Sequence, residues 1–344
     1  WDMSSQQGFP VAVVGATGLV GEAMLACLEE RKFPIRELHL LASERSAGTR
    51  IDFAKQSHVV GDLASFDFKG VDLALFSAGG SVSREHAPRA AAAGAVVIDN
   101  TSCFRYDDDV PLVVPEVNPQ ALAGARQRNI IANPNCSTIQ MVVALKPIHD
   151  AAGITRINVA TYQSVSGGGR SMLEELAHQT ALLMNGRPLE KMLTPRQQAF
   201  NVLPQIDVFE DNGYTREEMK MCWETRKIFG DPAIGVNATA VRVPVFFGHS
   251  EAVHLETVDK ITARQARNLL NKAPGITVVD RRQPGGYPTA ATDASGADPV
   301  FVGRIRDDIS HPRGLSLWIV ADNIRKGAAL NSVQIAETFV KNYL

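Results

Sequence analysis

Three glycines between an apolar segment and a helical pattern constrain the fold of this chain more than any other feature. Gly15, Gly18 and Gly21 follow the apolar residues 9–14, and a helical pattern continues through residues 24–28. In such a strand–loop–helix unit, the first glycine permits a tight turn and the second lets the backbone approach a pyrophosphate. The third glycine lets the helix pack closely on the strand, and the helix N-terminus then holds the pyrophosphate. A glycine-rich turn without a ligand is the alternative, but the position between a strand and a helix favours nucleotide binding.

Apolar strands and helical segments alternate through the first part of the chain. Further strands are predicted at residues 38–42, 71–76 and 95–99, and a helix at residues 87–93. This alternation predicts an α/β domain of Rossmann-like type, with a parallel sheet that carries helices on both faces.

The pattern changes after Cys136, where longer segments rich in β-branched residues appear. Helices are predicted at residues 137–149, 171–184, 263–272 and 328–343. Strands are predicted at residues 154–166, 236–247, 254–261, 300–307 and 315–321. Longer strands in sequence predict a mixed or antiparallel sheet, and hence an α+β second domain. Residues 185–215, which contain several glycines and prolines, are predicted as the most loop-like stretch.

The composition narrows the classes of partner. A net charge of −2 over 344 residues gives no strong field for nucleic acid or membrane surfaces, and 45% hydrophobic residues is typical of a soluble globular protein. No segment is long and apolar enough to span a bilayer, and residues 1–7 lack the regions of a signal peptide. The four cysteines lie far apart without metal-ligand spacing, so we expect no metal site and a reduced, cytoplasmic setting.

One cysteine stands in a run that suggests nucleophilic chemistry, Asn133-Pro134-Asn135-Cys136-Ser137-Thr138. Asn135 can cap a helix, which would place Cys136 at a helix N-terminus, where unpaired amides and the helix dipole favour a thiolate. A thiolate beside a dinucleotide suggests acyl-enzyme chemistry coupled to hydride transfer. The alternative is an ordinary buried cysteine after a plain turn, which is the commoner role of this residue type.

The end of the second strand bears on the choice between NAD and NADP. An NAD protein usually ends this strand with an acid for the ribose hydroxyls. Here Ser43, Arg45 and Ser46 follow the strand and can surround a 2′-phosphate with a cation and hydroxyl donors. Glu44 would oppose the phosphate unless its side chain points away, as alternate positions of an extended segment do. A solvated polar turn is the alternative, and we favour NADP.

Five motifs occur together and in order along the chain. They are Gly15-Ala16-Thr17-Gly18-Leu19-Val20-Gly21, Asn133-Pro134-Asn135-Cys136-Ser137-Thr138, Gln163-Ser164-Val165-Ser166-Gly167, Arg242-Val243-Pro244-Val245-x-x-Gly248-His249-Ser250 and Asp322-Asn323-x-Arg325-Lys326-Gly327-Ala328-Ala329. With these motifs the chain resembles the aspartate-β-semialdehyde dehydrogenases over essentially its whole length. The resemblance implies reductive dephosphorylation of L-β-aspartyl phosphate by NADPH, which gives L-aspartate β-semialdehyde and phosphate. The pathway it implies is the aspartate branch of amino-acid biosynthesis, towards lysine (by way of diaminopimelate), threonine, methionine and isoleucine.

The resemblance also implies the catalytic residues. Cys136 would attack the acyl phosphate and form a thioester, and amides near its helix N-terminus are plausible donors to the carbonyl oxygen. His249 would be the general acid/base, a role that suits an imidazole because its pKa lies near neutrality. Gln163 would hydrogen-bond the acyl group near the cysteine. Outside this context, His249 is one of eight histidines and Gln163 is only an amide at a strand end.

Five residues match the substrate contacts of the family. Arg242 would bind the α-carboxylate through its planar fork. Glu217 would contact the substrate ammonium and Lys220 the phosphate, although on their own they indicate a solvated ion pair on one helix face. Arg105 matches the other phosphate-binding arginine, and Asn135 matches a neighbouring substrate contact.

The predicted cofactor is NADP(H), bound mainly by residues that follow three strands of the first domain. Asn323 matches a contact to the nicotinamide amide, although Asp322-Asn323 could otherwise cap a helix. The residues predicted to bind the cofactor are Gly15, Thr17, Gly18, Leu19, Val20, Gly21, Ser43, Arg45, Ser46, Ser77, Ala78, Gly79, Ser166, Gly167 and Asn323.

By resemblance, the nucleotide domain spans residues 1–135 and is completed by the C-terminal helix within 321–344. The catalytic and dimerisation domain then spans residues 136–320, and the partner is a second copy of the chain in a homodimer. Two positions depart from the family pattern, since Cys103 and Gly168 stand where alanine is expected. Both are small changes beside the site, and a buried Cys103 is expected rather than a reactive one.

Three other functions are compatible with parts of this pattern. An N-acetyl-γ-glutamyl-phosphate reductase shares the cysteine–histidine chemistry, but its substrate has no free ammonium for Glu217. A glyceraldehyde-3-phosphate dehydrogenase differs around its cysteine and is expected to carry an NAD-type acid. A non-catalytic paralogue of the same fold is disfavoured by the joint presence of Cys136, Gln163, Arg242 and His249.

Overall fold

The computed structural model describes residues 8–344. The prediction about residues 1–7 therefore lies outside the described residues. The chain forms two compact units, one made of the residues up to Asn135 together with Ala328–Leu344, the other of Cys136–Gly327. No helix of the described chain combines the length and the apolar character needed to cross a bilayer.

Fourteen strands and seven α-helices make up the regular structure of residues 8–344. The strands are β1 (Phe9–Val14), β2 (Ile35–Ala42), β3 (Arg50–Phe53), β4 (Gln56–Val59), β5 (Gly61–Asp62), β6 (Leu73–Phe76), β7 (Val96–Asp99), β8 (Ile130–Ala132), β9 (Ile154–Gln163), β10 (Gly235–Arg242), β11 (His249–Thr257), β12 (Ile276–Val278), β13 (Val300–Asp307) and β14 (Gly314–Ala321). The α-helices are α1 (Leu19–Glu30), α2 (Gly80–Ala92), α3 (Cys136–Ala152), α4 (Arg170–Met184), α5 (Arg216–Phe229), α6 (Ala263–Leu270) and α7 (Leu330–Tyr343).

The first unit is built on a six-stranded sheet of order β5-β2-β1-β6-β7-β8. All of its strand pairs are parallel. The central strands are apolar along their length because helices cover the sheet, and residues of β1, β6 and β7 share one core with α1 and α7. The predicted Rossmann-like α/β domain is confirmed.

The features of this unit that were not predicted include a hairpin and the start of a helix. Strands β3 and β4 form a short antiparallel hairpin, with Arg50 opposite Val59. Its residues are mostly exposed or half-buried, so they carry no apolar run of the kind that reveals a strand. Helix α2 is longer than the predicted 87–93, because its first turn begins in the glycine-rich segment at Gly80.

The second unit contains a mixed sheet of order β10-β9-β11-β14-β13-β12. Strands β9 and β10 are parallel, as are β12 and β13, whereas β11 and β14 run antiparallel to their neighbours. Helix α3 is apolar and buried on nearly all sides, and it packs against β11 and β14. The predicted α+β domain with a mixed sheet is confirmed.

The limits of the two strands on either side of one turn in this unit were predicted wrongly. The segment 236–247 stays extended only to Arg242, and the chain then turns through Pro244 and Gly248, whose φ is 88°. The strand placed at 254–261 begins earlier, at His249, and ends at Thr257. Proline lacks a donor and glycine accepts the left-handed region, so the turn falls between them.

Candidate active site

The predicted nucleotide-binding segments meet at one end of the parallel sheet. Residues 15–21, 43–46 and 77–79 follow β1, β2 and β6, and these three strands are neighbours with β1 in the centre. Parallel neighbours end on the same side, so the structure brings these segments together at the carboxyl ends of the strands. This is where open α/β sheets bind ligands.

The glycine loop has the tight geometry that its sequence predicted. Gly15 has a φ of 84°, and a Cβ there would lie 2.5 Å from the carbonyl oxygen of Ser77. A Cβ on Gly21 would lie 2.1 Å from the carbonyl oxygen of Gly15. Helix α1 follows Gly18, and no side chain caps it at that residue. Its first amides thus suit an anion such as a pyrophosphate, and the loop fits a dinucleotide.

The segment after β2 differs in one respect from the expectation. Glu44–Ser46 form a short 3-10 turn rather than an extended segment, so the alternation that would turn Glu44 away does not operate there. Ser43, Glu44 and Arg45 are exposed and Ser46 is half-buried. The cation and the hydroxyls remain accessible, and their role towards a 2′-phosphate stays a prediction.

Arg105 and Asn135 are buried in the first unit, 6% and 7% exposed. The Arg105 guanidinium donates to the carbonyl oxygens of Asn133, at 2.9 Å, and Asn100, at 2.8 Å. These bonds hold the guanidinium beside the segment that leads to Cys136. A phosphate contact from Arg105 stays a prediction.

Cys136 is the first residue of α3, as the sequence predicted, and it is half-buried. A Cβ on Gly327 would lie 2.8 Å from the Cβ of Cys136, so only glycine permits this approach of the two backbones. Amides of a first helical turn have no partner within the helix. The position therefore favours a thiolate and a developing oxyanion.

Three further predicted residues lie at one end of the mixed sheet. Gln163 ends β9 and pairs in register with Arg242, which ends β10. Strand β11 runs in the opposite direction and begins at His249, which pairs with Ala321 at the end of β14. The three side chains are nearly or fully buried, with exposed fractions of 1%, 9% and 0%.

His249 has one ring nitrogen fixed and the other without a partner. The backbone amide of Ser164 donates to Nδ1 at 3.1 Å, and the Ser164 hydroxyl also lies 3.1 Å from Nδ1. Within residues 8–344, no hydrogen-bond partner reaches Nε2. Burial, and then the charge of Arg242, lower the pKa of His249 to about 3. The imidazole is therefore neutral at physiological pH, with Nε2 available for a reacting group.

The loop that follows β9 closes tightly around this histidine. A Cβ on Gly167 would lie 3.1 Å from Nη1 of Arg242 and 3.3 Å from Nε2 of His249. Arg242 donates through Nη1 to the carbonyl oxygen of Ser164 at 2.7 Å. The neighbouring Gly168 also has a packing reason to lack a side chain, since a Cβ there would lie 2.5 Å from Cγ of Met172.

Asn323 forms hydrogen bonds with both the loop that follows β9 and the turn that precedes β11. Its Oδ1 accepts hydrogen bonds from the hydroxyls of Ser164 and Ser166, each at 3.1 Å, and from the amide of Gly248 at 3.0 Å. Ser164 was not predicted as a site residue, although it lies in the motif with Gln163. The nicotinamide contact of Asn323 stays a prediction.

Glu217 and Lys220 form the expected pair on α5, together with an unexpected carboxylate. Lys220 donates to Glu217 at 3.1 Å and to Asp207 at 2.8 Å, and Gln163 donates to Glu217 at 3.2 Å. Burial lowers the pKa of Lys220, but the two carboxylates outweigh this effect and place it above its ordinary value. Asp207 lies in the stretch predicted as loop, where no sequence signal marks it.

A cavity of about 480 Å³ lies in the second unit. Arg196, Asp207 and Arg242 contribute its charged groups, and its apolar surface comes from side chains that include Met172, Leu203, Ile206 and Phe209. Burial lowers the pKa of Arg242, although Glu217 and then Cys136 act in the opposite direction. The second unit thus contains a cysteine at a helix start, a neutral imidazole and a buried guanidinium, a set of groups that suits attack on an acyl group carrying a carboxylate.

Comparisons with known proteins agree with this chemistry. Residues 10–125 match the family described as semialdehyde dehydrogenase, NAD binding domain, and residues 145–326 match semialdehyde dehydrogenase, dimerisation domain. An aspartate-semialdehyde dehydrogenase of Legionella pneumophila is 65% identical over 334 residues, which are 97% of this chain and 96% of the relative. The relative from Bacillus subtilis, with the same name, is 52% identical over 343 residues, 97% of this chain and 98% of its own.

Solved structures give the same result. The structure of aspartate semialdehyde dehydrogenase II from Vibrio cholerae, complexed with ASA, has a TM-score of 0.96 and 60% identity, and the match covers 98% of this chain and 100% of that one. The enzyme from Candida albicans, solved with NADP, has a TM-score of 0.76 and 25% identity, with 97% and 99% covered. The first unit thus carries a domain for a nicotinamide dinucleotide, and the chain belongs to the aspartate-semialdehyde dehydrogenase family.

Proposed function

We propose that this chain converts L-β-aspartyl phosphate to L-aspartate β-semialdehyde and phosphate through a thioester on Cys136, with His249 as the acid/base. One observation carries the proposal: a neutral, buried imidazole with an unpartnered Nε2 lies beside Arg242 in the unit whose first helix begins with the cysteine. The names of relatives over nearly the whole chain support this reaction.

Acyl transfer and reduction take place on Cys136, and His249 transfers the proton. The Cys136 sulfur attacks the acyl carbon, the bond from that carbon to the phosphate oxygen breaks, and inorganic phosphate leaves. When bound, the reduced nicotinamide supplies the hydride that takes the acyl carbon to the aldehyde level. The tetrahedral adduct on Cys136 then collapses, which releases the aldehyde and returns the thiolate. Amides of the first turn of α3 stabilise the negative charge on the carbonyl oxygen.

Ser164 allows the imidazole of His249 to serve in both directions of proton transfer. As a base, His249 takes the thiol proton at Nε2, so that Nδ1 keeps its own proton. The Ser164 hydroxyl, 3.1 Å from Nδ1, then accepts from it. As an acid, the imidazolium returns the proton from Nε2 to the leaving thiolate, while Nδ1 keeps its proton and its contact with the Ser164 hydroxyl. Both forms of the ring are therefore supported by one residue.

Recognition of the substrate uses charges that are already buried. Arg242 binds the α-carboxylate, Glu217 the α-ammonium, and Lys220 with Arg105 the phosphate. Glu217 is 5% exposed, so a substrate without an ammonium leaves a buried carboxylate with less compensation. This argues for aspartyl phosphate over an N-acetylated glutamyl phosphate.

The preferred cofactor is NADP. Ser43, Arg45 and Ser46 supply one cation and two hydroxyls at the end of β2, where the 2′-phosphate of NADP lies in this type of domain. Arg45→Ala is expected to raise the KM for NADP about tenfold and to change that for NAD less than twofold, the size of one charge-assisted contact. Arg36→Ala, at the opposite end of β2, is the matched control. Equal losses for the two cofactors would contradict this assignment.

The second unit is expected to form a homodimer in the cytoplasm. On the sheet face opposite α3, Tyr162 is 38% exposed and its ring lies 5.5 Å from that of Trp318. Exposed aromatic side chains on a sheet face are typical of interfaces. Light scattering on a sizing column checks this, and a mass equal to one chain would refute it.

The experiment that tests the reaction follows reduced nicotinamide formed from L-aspartate β-semialdehyde in the presence of phosphate. Wild type is expected to need phosphate and to prefer NADP, and Cys136→Ala is expected to be inactive. Cys103→Ala should retain activity, which separates the proposed nucleophile from another partly exposed thiol. Activity of Cys136→Ala would refute the thioester. Activity of wild type on the N-acetylglutamyl substrate alone would refute the substrate.

A further inference from the structure

Glu251 is a completely buried carboxyl group in the middle of the catalytic unit. It lies on β11 two residues after His249, so both side chains are on the face that packs against α3. Throughout the described chain, neither of its carboxyl oxygens has a hydrogen-bond partner. A buried carboxylate without a partner is strongly unfavourable, so the group needs an explanation.

Gln140 is the side chain that faces Glu251 from the helix. It lies on α3 four residues after Cys136, one turn along the same side of the helix. Its Nε2 donates to the carbonyl oxygen of His249 at 3.2 Å. Its Oε1 has no partner among residues 8–344, and the residue is fully buried. Three buried oxygens, one on Gln140 and two on Glu251, thus have no hydrogen-bond partner among the described residues.

We propose that Gln140 and Glu251 form a buried polar pair that positions the first residues of β11 against the cysteine-bearing helix. A proton on Glu251 reduces the number of unsatisfied oxygens from three to one, because the carboxylic acid then donates to Oε1 of Gln140. The amide in turn donates to the His249 carbonyl. The resulting chain of hydrogen bonds joins the helix that begins at Cys136 to the strand that begins at His249.

The surroundings of Glu251 favour this neutral form. Burial raises the pKa of Glu251 well above its ordinary value, and the contact with Gln140 lowers it by less. Among residues 8–344, burial and Gln140 are the influences on its pKa, and no charged side chain is one of them. The acid therefore acts as a hydrogen-bond donor rather than as a charge. Gln140 and Glu251 are positioning residues, and this role rests on the proposed function of Cys136 and His249.

Kinetics of three substitutions test the pair. Glu251→Leu and Gln140→Leu are each expected to lower kcat about tenfold with KM changed less than twofold, since the loss concerns alignment rather than substrate binding. Glu251→Gln keeps a donor of the same shape and should stay within about twofold of wild type. The double leucine variant should be no slower than the slower single variant, because both remove one interaction.

Val253→Ala is the matched control for a general weakening of β11. Val253 lies on the same face of the strand and is fully buried, but it has no polar group. It should lose stability while kcat stays within about twofold of wild type. Wild-type kcat in Glu251→Leu, additive losses in the double variant, or a Glu251→Gln variant as slow as Glu251→Leu would each overturn the proposal.

If a leucine variant does not fold, infrared spectroscopy tests the proposal without relying on enzyme activity. The infrared difference spectrum between wild type and Glu251→Gln at neutral pH should contain the C=O band of a protonated carboxyl group. A carboxylate band in its place would overturn the proposal. An active Cys136→Ala variant would refute the proposed reaction but would leave this band unchanged, so the two failures are distinguishable.

Discussion

The buried imidazole of His249 should make the stability of this protein fall in mild acid. Its pKa is about 3 in the folded chain, against 6.5 in an unfolded one. Between these two values, the unfolded chain binds a proton that the folded chain does not. The free energy of unfolding therefore falls as the pH falls, from about 6.5 down to about 3. At pH 5 the contribution of this one group is about 2 kcal/mol, and at pH 6 it is about 0.8 kcal/mol.

Urea unfolding of wild type and His249→Gln at about pH 7, 6 and 5 isolates this contribution, because every other titrating group is common to the two proteins. The amide does not titrate, so wild type should lose about 2 kcal/mol more than the variant between pH 7 and 5. The comparison uses only how the difference in free energy of unfolding between the two proteins changes with pH. The test therefore holds whether the variant is more or less stable than wild type. If the free energies of unfolding of wild type and His249→Gln change with pH in the same way, the reasoning is refuted. The imidazole would then lie in a more polar environment than the structure indicates.

Three other substitutions test separate parts of the site. Gly167→Ala should lower kcat about tenfold because its Cβ crowds the guanidinium and the imidazole at 3.1 and 3.3 Å, whereas Gly124→Ala, in open space, should not change kcat. Thr215→Ala removes the capping box of α5 and should lower the free energy of unfolding by about 1 kcal/mol, measured by urea titration. Asp207 has a φ of 69°, which asparagine tolerates, so Asp207→Asn removes only charge. It should lower the pKa of Lys220 and alter the KM for phosphate about threefold, the scale of one partly exposed ion pair, and an unchanged KM would count against this role.

The fold class could be predicted from the sequence because the apolar segments of the first unit are long and regularly spaced. Strand β1 and the glycine loop predicted a parallel sheet, and the structure has one. The β3–β4 hairpin was not predicted because neither strand has a continuous run of apolar residues. The start of β11 was placed five residues too late. His249, Ser250 and Glu251 are polar, and polar residues in sequence do not indicate a buried strand.

The candidate site was predictable where residues lie in compact motifs and unpredictable where they meet by tertiary packing. Cys136, Gln163 and His249 could be named from their neighbours in sequence. Asp207 and Gln140 could not, because a loop aspartate and a helical glutamine have no local signal. Their partners lie 13 and 109 residues away.

The mixed direction of the second sheet explains how His249 and Arg242, the proposed acid/base and carboxylate-binding group, come together. Gln163 and Arg242 end parallel strands, so they lie on the same side of the sheet. A histidine at the start of a third parallel strand would lie at the opposite end, about 25 Å away for a strand of eight residues. Strand β11 runs antiparallel to β9, and the turn through Pro244 and Gly248 is short enough to reverse the chain within the same edge. The reversal therefore places His249 beside Ser164 and Arg242, and it depends on a turn in which Gly248 adopts a φ of 88° that favours glycine.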